Sequence, residues 1–320
     1  MNGNSAPITA WLFPGQGSQS LGMGRSLLAE FSPAREVLAM ASEMVGRDLA
    51  AVIARGPDAL LTRTDNLQPA ITAINLGCCL LLREAGVAAH AVAGHSLGEF
   101  SALFAAGVLS LHDALWLTVE RGRLMHQVSA TLDGGMLAVK AVPIGVIEAA
   151  VSEVARDFAV GIANYNTPSQ TVISGEREGL ARIAQALSAA GGQAVALNVS
   201  GPWHSPLLRP AAERFVQVLR TVHFHDAAVP VVMNASGKAA STEAALREQV
   251  EAQLCSPVRW WRTLQTLGAM GTGRFVEVGP GKVLRGLLRG LPELAEHDVV
   301  NVEGPKSLAF LGVASVKLAS

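Results

Sequence analysis

Residues 94 to 98 read Gly94-His95-Ser96-Leu97-Gly98 and fit the pattern G-x-S-x-G. A serine between glycines can be a passive turn residue in a chain with 32 glycines, so the flanks decide. Residues 88–93 form a short small-apolar run suited to a buried strand, and residues 99–106 are a good helix former. Strand, sharp turn and helix in that order lift a serine oxygen clear of the backbone at the edge of a sheet. The glycines relieve crowding where strand and helix pack closely and allow the φ the turn needs. The pattern predicts an α/β fold with Ser96 presented as a nucleophile.

The rest of the chain carries the same rhythm. Leu12 and Phe13 end a short apolar strand that leads into a glycine-rich loop, Pro14-Gly15-Gln16-Gly17-Ser18-Gln19. Helical patterns follow at 32–50, 68–85 and 111–128, and such alternation with strands marks a largely parallel sheet. From 134 to 198 the order becomes strand, helix, strand, strand, helix, strand, at 136–141, 144–155, 159–163, 170–174, 178–190 and 193–199. That is the split βαβ, ferredoxin-like unit. A helix at 210–222, a strand at 229–233, a helix at 242–254, a strand at 275–278 and a helix at 282–291 complete the reading; nothing is legible after Glu296. The expected architecture is an α/β-hydrolase-like large domain with a parallel sheet, made of 6–130 and 200–300. A ferredoxin-like small domain at 134–199 is inserted in it, and 301–320 form a C-terminal tail.

Composition excludes several classes. A net charge of −1 lacks the basic face a nucleic-acid binder needs. Apolar runs such as 76–82 fall short of the roughly 18 residues of a spanning helix. The N-terminal MNGNSAPITAW has no basic region followed by a long apolar one, so no secretion signal is expected. Three cysteines, two of them adjacent, offer neither zinc-ligand spacing nor a disulfide framework. They read as buried thiols of a cytoplasmic protein with no metal.

A serine at neutral pH attacks poorly unless a base takes its proton. Of eight histidines, His95 adjoins the serine, and neighbours on a sharp turn point apart. His204 lies in a loop bounded by proline and glycine, later in the chain than the serine, and is the better candidate. A loop histidine is as readily a solvated or capping residue, so the residues alone leave this open.

Six ordered segments carry a resemblance: FPGQGSQ at 13–19, GHSLGEFSA at 94–102, RGRLMH at 121–126, NYNTPSQTVISG at 164–175, GPWHSPLL at 201–208 and EVGPGKVL at 277–284. Together, over roughly residues 10 to 290, they resemble the malonyl-CoA:acyl carrier protein transacylases, the discrete acyltransferases of fatty acid and polyketide synthesis. The resemblance implies malonyl transfer from malonyl-CoA to the phosphopantetheine thiol of an acyl carrier protein through an ester on Ser96. His204 would be base and then acid, oriented by a carbonyl at Gln253. The amides of Gln16 and Leu97 would form the oxyanion hole, and Arg121 would hold the malonyl carboxylate. Met125, Trp203, His95 and Asn166 would also contact the substrate.

No resident cofactor is implied, and the protein is expected to act as a monomer. Two positions depart from the family pattern: His126 follows Met125 where a glutamine is common, and Trp203 precedes His204 where malonyl-selective members usually have Phe. The larger ring predicts less room beside the substrate α-carbon. A hydrolase that clears acyl groups from carrier proteins and a non-catalytic docking module are the alternatives; Arg121 argues against the first and the Ser96–His204 pair against the second. Carrier proteins are generally acidic, so Arg259, Arg262, Lys282, Arg285 and Arg289 are candidates for a docking patch.

Overall fold

A computed structural model describes residues 7–313; residues 1–6 and 314–320 lie outside it. Strand β1 (Thr9–Phe13) is buried at every position, as a strand covered by helices on both faces must be. Helices α1 (Arg25–Glu30), α2 (Ser32–Val45), α3 (Leu49–Arg55), α4 (Asp58–Leu61) and the long α5 (Thr64–Glu84) follow. Strand β2 (Ala91–Gly94) ends on the G-x-S-x-G turn, α6 (Gly98–Ala105) starts from it, and α7 (Leu111–Ser129) comes next. The middle of the chain runs β3 (Gly134–Lys140), α8 (Ile144–Val154), β4 (Val160–Thr167), β5 (Gln170–Glu176), α9 (Arg177–Ala189) and β6 (Gln193–Ala196). The last part holds α10 (Arg209–Leu219), β7 (Val231–Val232), β8 (Ala239–Ala240), α11 (Glu243–Ala252), α12 (Trp260–Ala269), β9 (Arg274–Val278), α13 (Val283–Arg289) and β10 (Asp298–Val302).

The larger sheet has the order β10-β9-β1-β2-β7-β8 and is parallel except for the β7–β8 pair. β1 and β2 are central neighbours, with Phe13 beside Gly94 in register. The glycine-rich loop after β1 and the serine turn after β2 therefore leave the sheet side by side at its carboxyl edge, where ligands of open α/β sheets bind. The smaller sheet, β4-β5-β3-β6, is antiparallel throughout. Strand alternation divides its two faces. Val139, Val160 and Ile173 pack with Ile147, Val151, Ile183 and Leu187 of α8 and α9. Met136, Ala163 and Val172 turn instead toward the large core. A short main-chain zip, Tyr165 N–H to the Val258 carbonyl at 2.9 Å and Val258 N–H to the Ala163 carbonyl at 2.8 Å, ties the small sheet down.

Several expectations are corrected. The single helix expected at 32–50 is two: Gly46, at φ 68, ends α2 in the left-handed conformation, and the Asp48 carboxylate caps α3 by accepting from Ala51 N–H at 2.9 Å. Helix α5 starts ahead of Pro69, which lies inside it. The helix expected at 242–254 stops at Ala252 and tightens into one 3-10 turn over Gln253–Cys255. Residues after Glu296 are not a bare tail: β10 pairs with β9, and a 3-10 segment, Pro305–Leu311, buries Leu308. Cys255 is exposed, whereas Cys78 and Cys79 are buried. Among the described residues no helix is long and apolar enough to cross a membrane.

Candidate active site

Ser96 sits at φ 50, a left-handed conformation that costs a non-glycine residue about 1–3 kcal/mol and persists only where the surroundings over-determine it. They do here. The Ser96 N–H donates to Asn234 Oδ1 at 2.7 Å, and the Ser96 carbonyl accepts from Gln253 Nε2 at 3.0 Å and from Glu99 N–H at 3.1 Å. A Cβ on Gly94 would collide with the main chain of Gly98, and one on Gly98 with the Phe13 carbonyl. The glycines of the motif are thus set by close approach of β2, α6 and β1.

His204, 108 residues on, accepts from Ser96 Oγ at 2.7 Å through Nε2. Its Nδ1 faces two main-chain carbonyls, Gln253 at 3.1 Å and Ser256 at 3.0 Å. Carbonyls can only accept, so the proton is assigned to Nδ1 and Nε2 is left as the base. The 3-10 turn after α11 aims both carbonyls at the ring: that of Gln253 also accepts from Ser256 N–H at 3.3 Å, and that of Ser256 lies just past the turn. Burial, with help from the nearby Arg121 charge, pushes His204 down to about 3, so the ring is neutral at physiological pH.

Arg121 rises from α7, which Ser110 starts by capping Asp113 N–H at 3.0 Å, a bond worth about 1 kcal/mol. The guanidinium is 0% exposed. Nε donates to Gln253 Oε1 at 3.1 Å, Nη1 to Gln68 Oε1 at 2.9 Å and Nη2 to Ser96 Oγ at 3.3 Å. A guanidinium has five N–H donors, so among the described residues one on each terminal nitrogen remains uncommitted. Burial pushes the group down to about 10, and Glu99 pulls it back up.

A cavity of about 430 Å³ opens over Ser96 and His204, between the large sheet's carboxyl edge and the small sheet. Gln16, His95, Asn166 and Trp203 line it, and Met136 and Val172 roof it. The loop bearing Gln16 lies on the serine turn, since a Cβ on Gly15 would sit 3.4 Å from the Leu97 nitrogen. Among the described residues neither the Gln16 nor the Leu97 N–H has an acceptor. His95 Nε2 donates to Asn166 Oδ1 at 2.9 Å, and the ring packs on Trp260.

Two of the residues expected against the substrate do not line this cavity. Arg121 lies beneath Ser96, and Met125 packs below Gln68, whose Nε2 donates to its Sδ at 3.1 Å. His126, where the family pattern has glutamine, meets Arg63 Nη2 at 3.4 Å, and its Nδ1 is buried without a partner among the described residues. The sequence reading missed Gln68, Glu99, Asn234 and Ser256. A lone carboxylate in the first turn of the mostly apolar α6 was the one available signal.

The acyl transferase domain family matches residues 10–304. The malonyl CoA-acyl carrier protein transacylase of Bacillus subtilis strain 168 is 38% identical over 301 residues, covering 92% of this chain and 95% of that protein. A solved acyl carrier protein S-malonyltransferase of Vibrio cholerae superposes with a TM-score of 0.90 at 34% identity, covering 95% of this chain and 99% of that one. A second solved structure, a type II polyketide synthase acyl carrier protein in complex with its malonyl-transacylase, gives 0.89 at 37% identity, with 94% and 97% covered.

Proposed function

The chain belongs to the acyl transferase domain family, and we propose that it moves a malonyl group from malonyl-CoA to the phosphopantetheine thiol of an acyl carrier protein. The observation that carries this reading is the 2.7 Å Ser96–His204 bond with the Arg121 guanidinium 3.3 Å from the same oxygen. In the first half-reaction His204 Nε2 takes the Ser96 proton as Oγ adds to the thioester carbonyl. The amides of Gln16 and Leu97 receive the oxyanion; such donors are worth about 10² to 10³ in rate each. The C–S bond breaks, His204 returns its proton to the departing CoA thiolate, and a malonyl ester stays on Ser96. The carrier thiol then repeats the sequence in reverse, with the ester C–O bond breaking and the proton returning to Ser96.

The uncommitted N–H pair of Arg121 suits the two oxygens of the malonyl carboxylate. A hydrolase of plain acyl chains has no use for it. The chemistry needs no resident cofactor, and we read the protein as a cytoplasmic monomer. We read the larger unit as α/β-hydrolase-like and the inserted β3–β6 unit as ferredoxin-like. Lys282, Arg285 and Arg289 flank Val283 and Leu287, which line the cavity, and offer an acidic carrier its footing; Arg259 and Arg262 frame a shallower cleft with Tyr165 and Trp261.

Incubation with malonyl-CoA and a carrier protein tests the reading: malonyl-carrier should form, and release of free malonate in its place would make the protein a hydrolase. Arg121→Ala should lower kcat/KM for malonyl-CoA by about 10²-fold and leave acetyl-CoA nearly unchanged. Equal loss with both substrates would make Arg121 structural. Trp203 lines the cavity at 5% exposure, so Trp203→Ser should relax the preference for malonyl-CoA over methylmalonyl-CoA by about 10-fold, within the range of methylene-sized discrimination. An unchanged ratio in a competition assay would leave Trp203 a packing residue.

A further inference from the structure

Glu99 lies in the first turn of α6, is 1% exposed, and its carboxylate meets donors only. Oε1 accepts from Asn234 N–H and Asn234 Nδ2, each at 2.7 Å, and Oε2 accepts from Gln253 Nε2 at 2.6 Å. An amide side chain has one donating and one accepting end, and its partners decide which points where. At Asn234, Nδ2 is engaged by Glu99 and the Gly94 carbonyl, which leaves Oδ1 for the Ser96 N–H. At Gln253, Nε2 is engaged by Glu99 and the Ser96 carbonyl, which leaves Oε1 for Arg121 Nε. One carboxylate joins both amides, each of which is also held by a main-chain carbonyl.

We infer that Glu99 is a positioning residue for malonyl selectivity: by fixing the orientation of the Gln253 amide it holds the Arg121 guanidinium where the substrate carboxylate must meet it. This role rests on the malonyl-transfer reading above. Its effect should fall on one side of the site. The Asn234 main-chain N–H cannot turn round, so a glutamine at 99 keeps its oxygen there and presents its NH2 to Gln253. Gln253 Nε2, still held by the Ser96 carbonyl, then meets a second NH2 in place of an acceptor, which displaces the amide and with it the Oε1 that seats Arg121 Nε.

Protonation of Glu99 brings the same conflict. Burial pushes the carboxyl up to about 7, while the Asn234 and Gln253 bonds and Arg121 pull it down. The charged group that acts on it is Arg121; His95 and His204, the titratable groups at the reacting serine, are both pushed down by burial and serve malonyl-CoA and acetyl-CoA alike, so a ratio of the two substrates cancels them.

The experiment measures kcat/KM for malonyl-CoA and acetyl-CoA on the full chain, with malonyl-enzyme formation followed by intact mass. Glu99→Gln should lower the malonyl-to-acetyl ratio by about 10-fold, the effect of one unsatisfied buried donor. In the unsubstituted protein the same ratio should fall as pH drops through about 7, and in Glu99→Gln it should be flat. Gln253→Met keeps the carbonyl that orients His204 and removes the relay, and should lower the ratio as well; it carries the test if Glu99→Gln does not fold. A ratio unchanged or raised in Glu99→Gln, or independent of pH in the unsubstituted protein, with malonyl-enzyme forming normally, would overturn the role of Glu99 alone. Absence of malonyl-enzyme in the unsubstituted protein would overturn the malonyl-transfer reading itself.

Discussion

Ser96→Ala is expected to leave no malonyl-enzyme detectable by intact mass and to lower transfer by about 10⁶-fold, the scale on which loss of a nucleophile acts. The substitution removes one oxygen and little else. Alanine at φ 50 has the same Cβ as serine, and the bonds that hold the turn come from main-chain atoms of Ser96 to Asn234, Gln253 and Glu99. The variant should therefore fold, and its CD spectrum and Tm check that. What it loses is the group that joins His204 to Arg121, since both reach the same Oγ. Ser200 also lines the cavity, but its hydroxyl lies 3.4 Å from Thr64 Oγ1 and its only side-chain contact is there among the described residues. With no base beside it, Ser200 should stay unacylated. A labelled Ser96→Ala protein would move the nucleophile to such a residue.

The serine turn was legible because its determinants are local. Glycines at 94 and 98, small apolar residues before and helix formers after fix it within some 20 positions of sequence. The partnership of Ser96 with His204 spans 108 residues, and no spacing rule reaches that far; it came from resemblance. Ser256 was invisible for another reason, since it acts through a main-chain carbonyl that any residue has. Arg121 could be seen as a cation on a helix, but its full burial depends on α5 packing across α7 and bringing Gln68 against it. Asn234 follows a strand of two residues, too short to carry an alternation. The edge strand β10 was lost because, after the Gly290–Pro292 turn signal, the short run Asp298–Val302 is mostly apolar but carries no alternation to mark it as a strand. What the chain writes locally was readable; what tertiary contact creates was not.

The same contacts determine what removal of the base should do. His204→Ala is expected to lower acylation and carrier transfer together by about 10⁴-fold, the upper end for a general base, because one ring serves as base in one half-reaction and acid in the other. Its two Nδ1 partners are neutral carbonyls, which orient the ring without the charge a carboxylate would lend to an imidazolium. A thioester asks little of that imidazolium as an acid, since a leaving thiol, with cysteine at about 8.5 as the guide, needs far less protonation than an amine does. The direction of the pH dependence follows. His204 works in its neutral form, and a group pushed from 6.5 to about 3 stays neutral as pH falls through the range where an ordinary histidine charges. Single-turnover acylation by saturating acetyl-CoA, which does not engage Arg121, should therefore be flat between about pH 8 and 5. A fall with a midpoint near 6.5 would mean that the ring is more open to water than its 4% exposure allows. Retention of full acylation by His204→Ala would instead transfer the role to His95, which lines the same cavity; loss of one half-reaction without the other would break the two-way use of a single base.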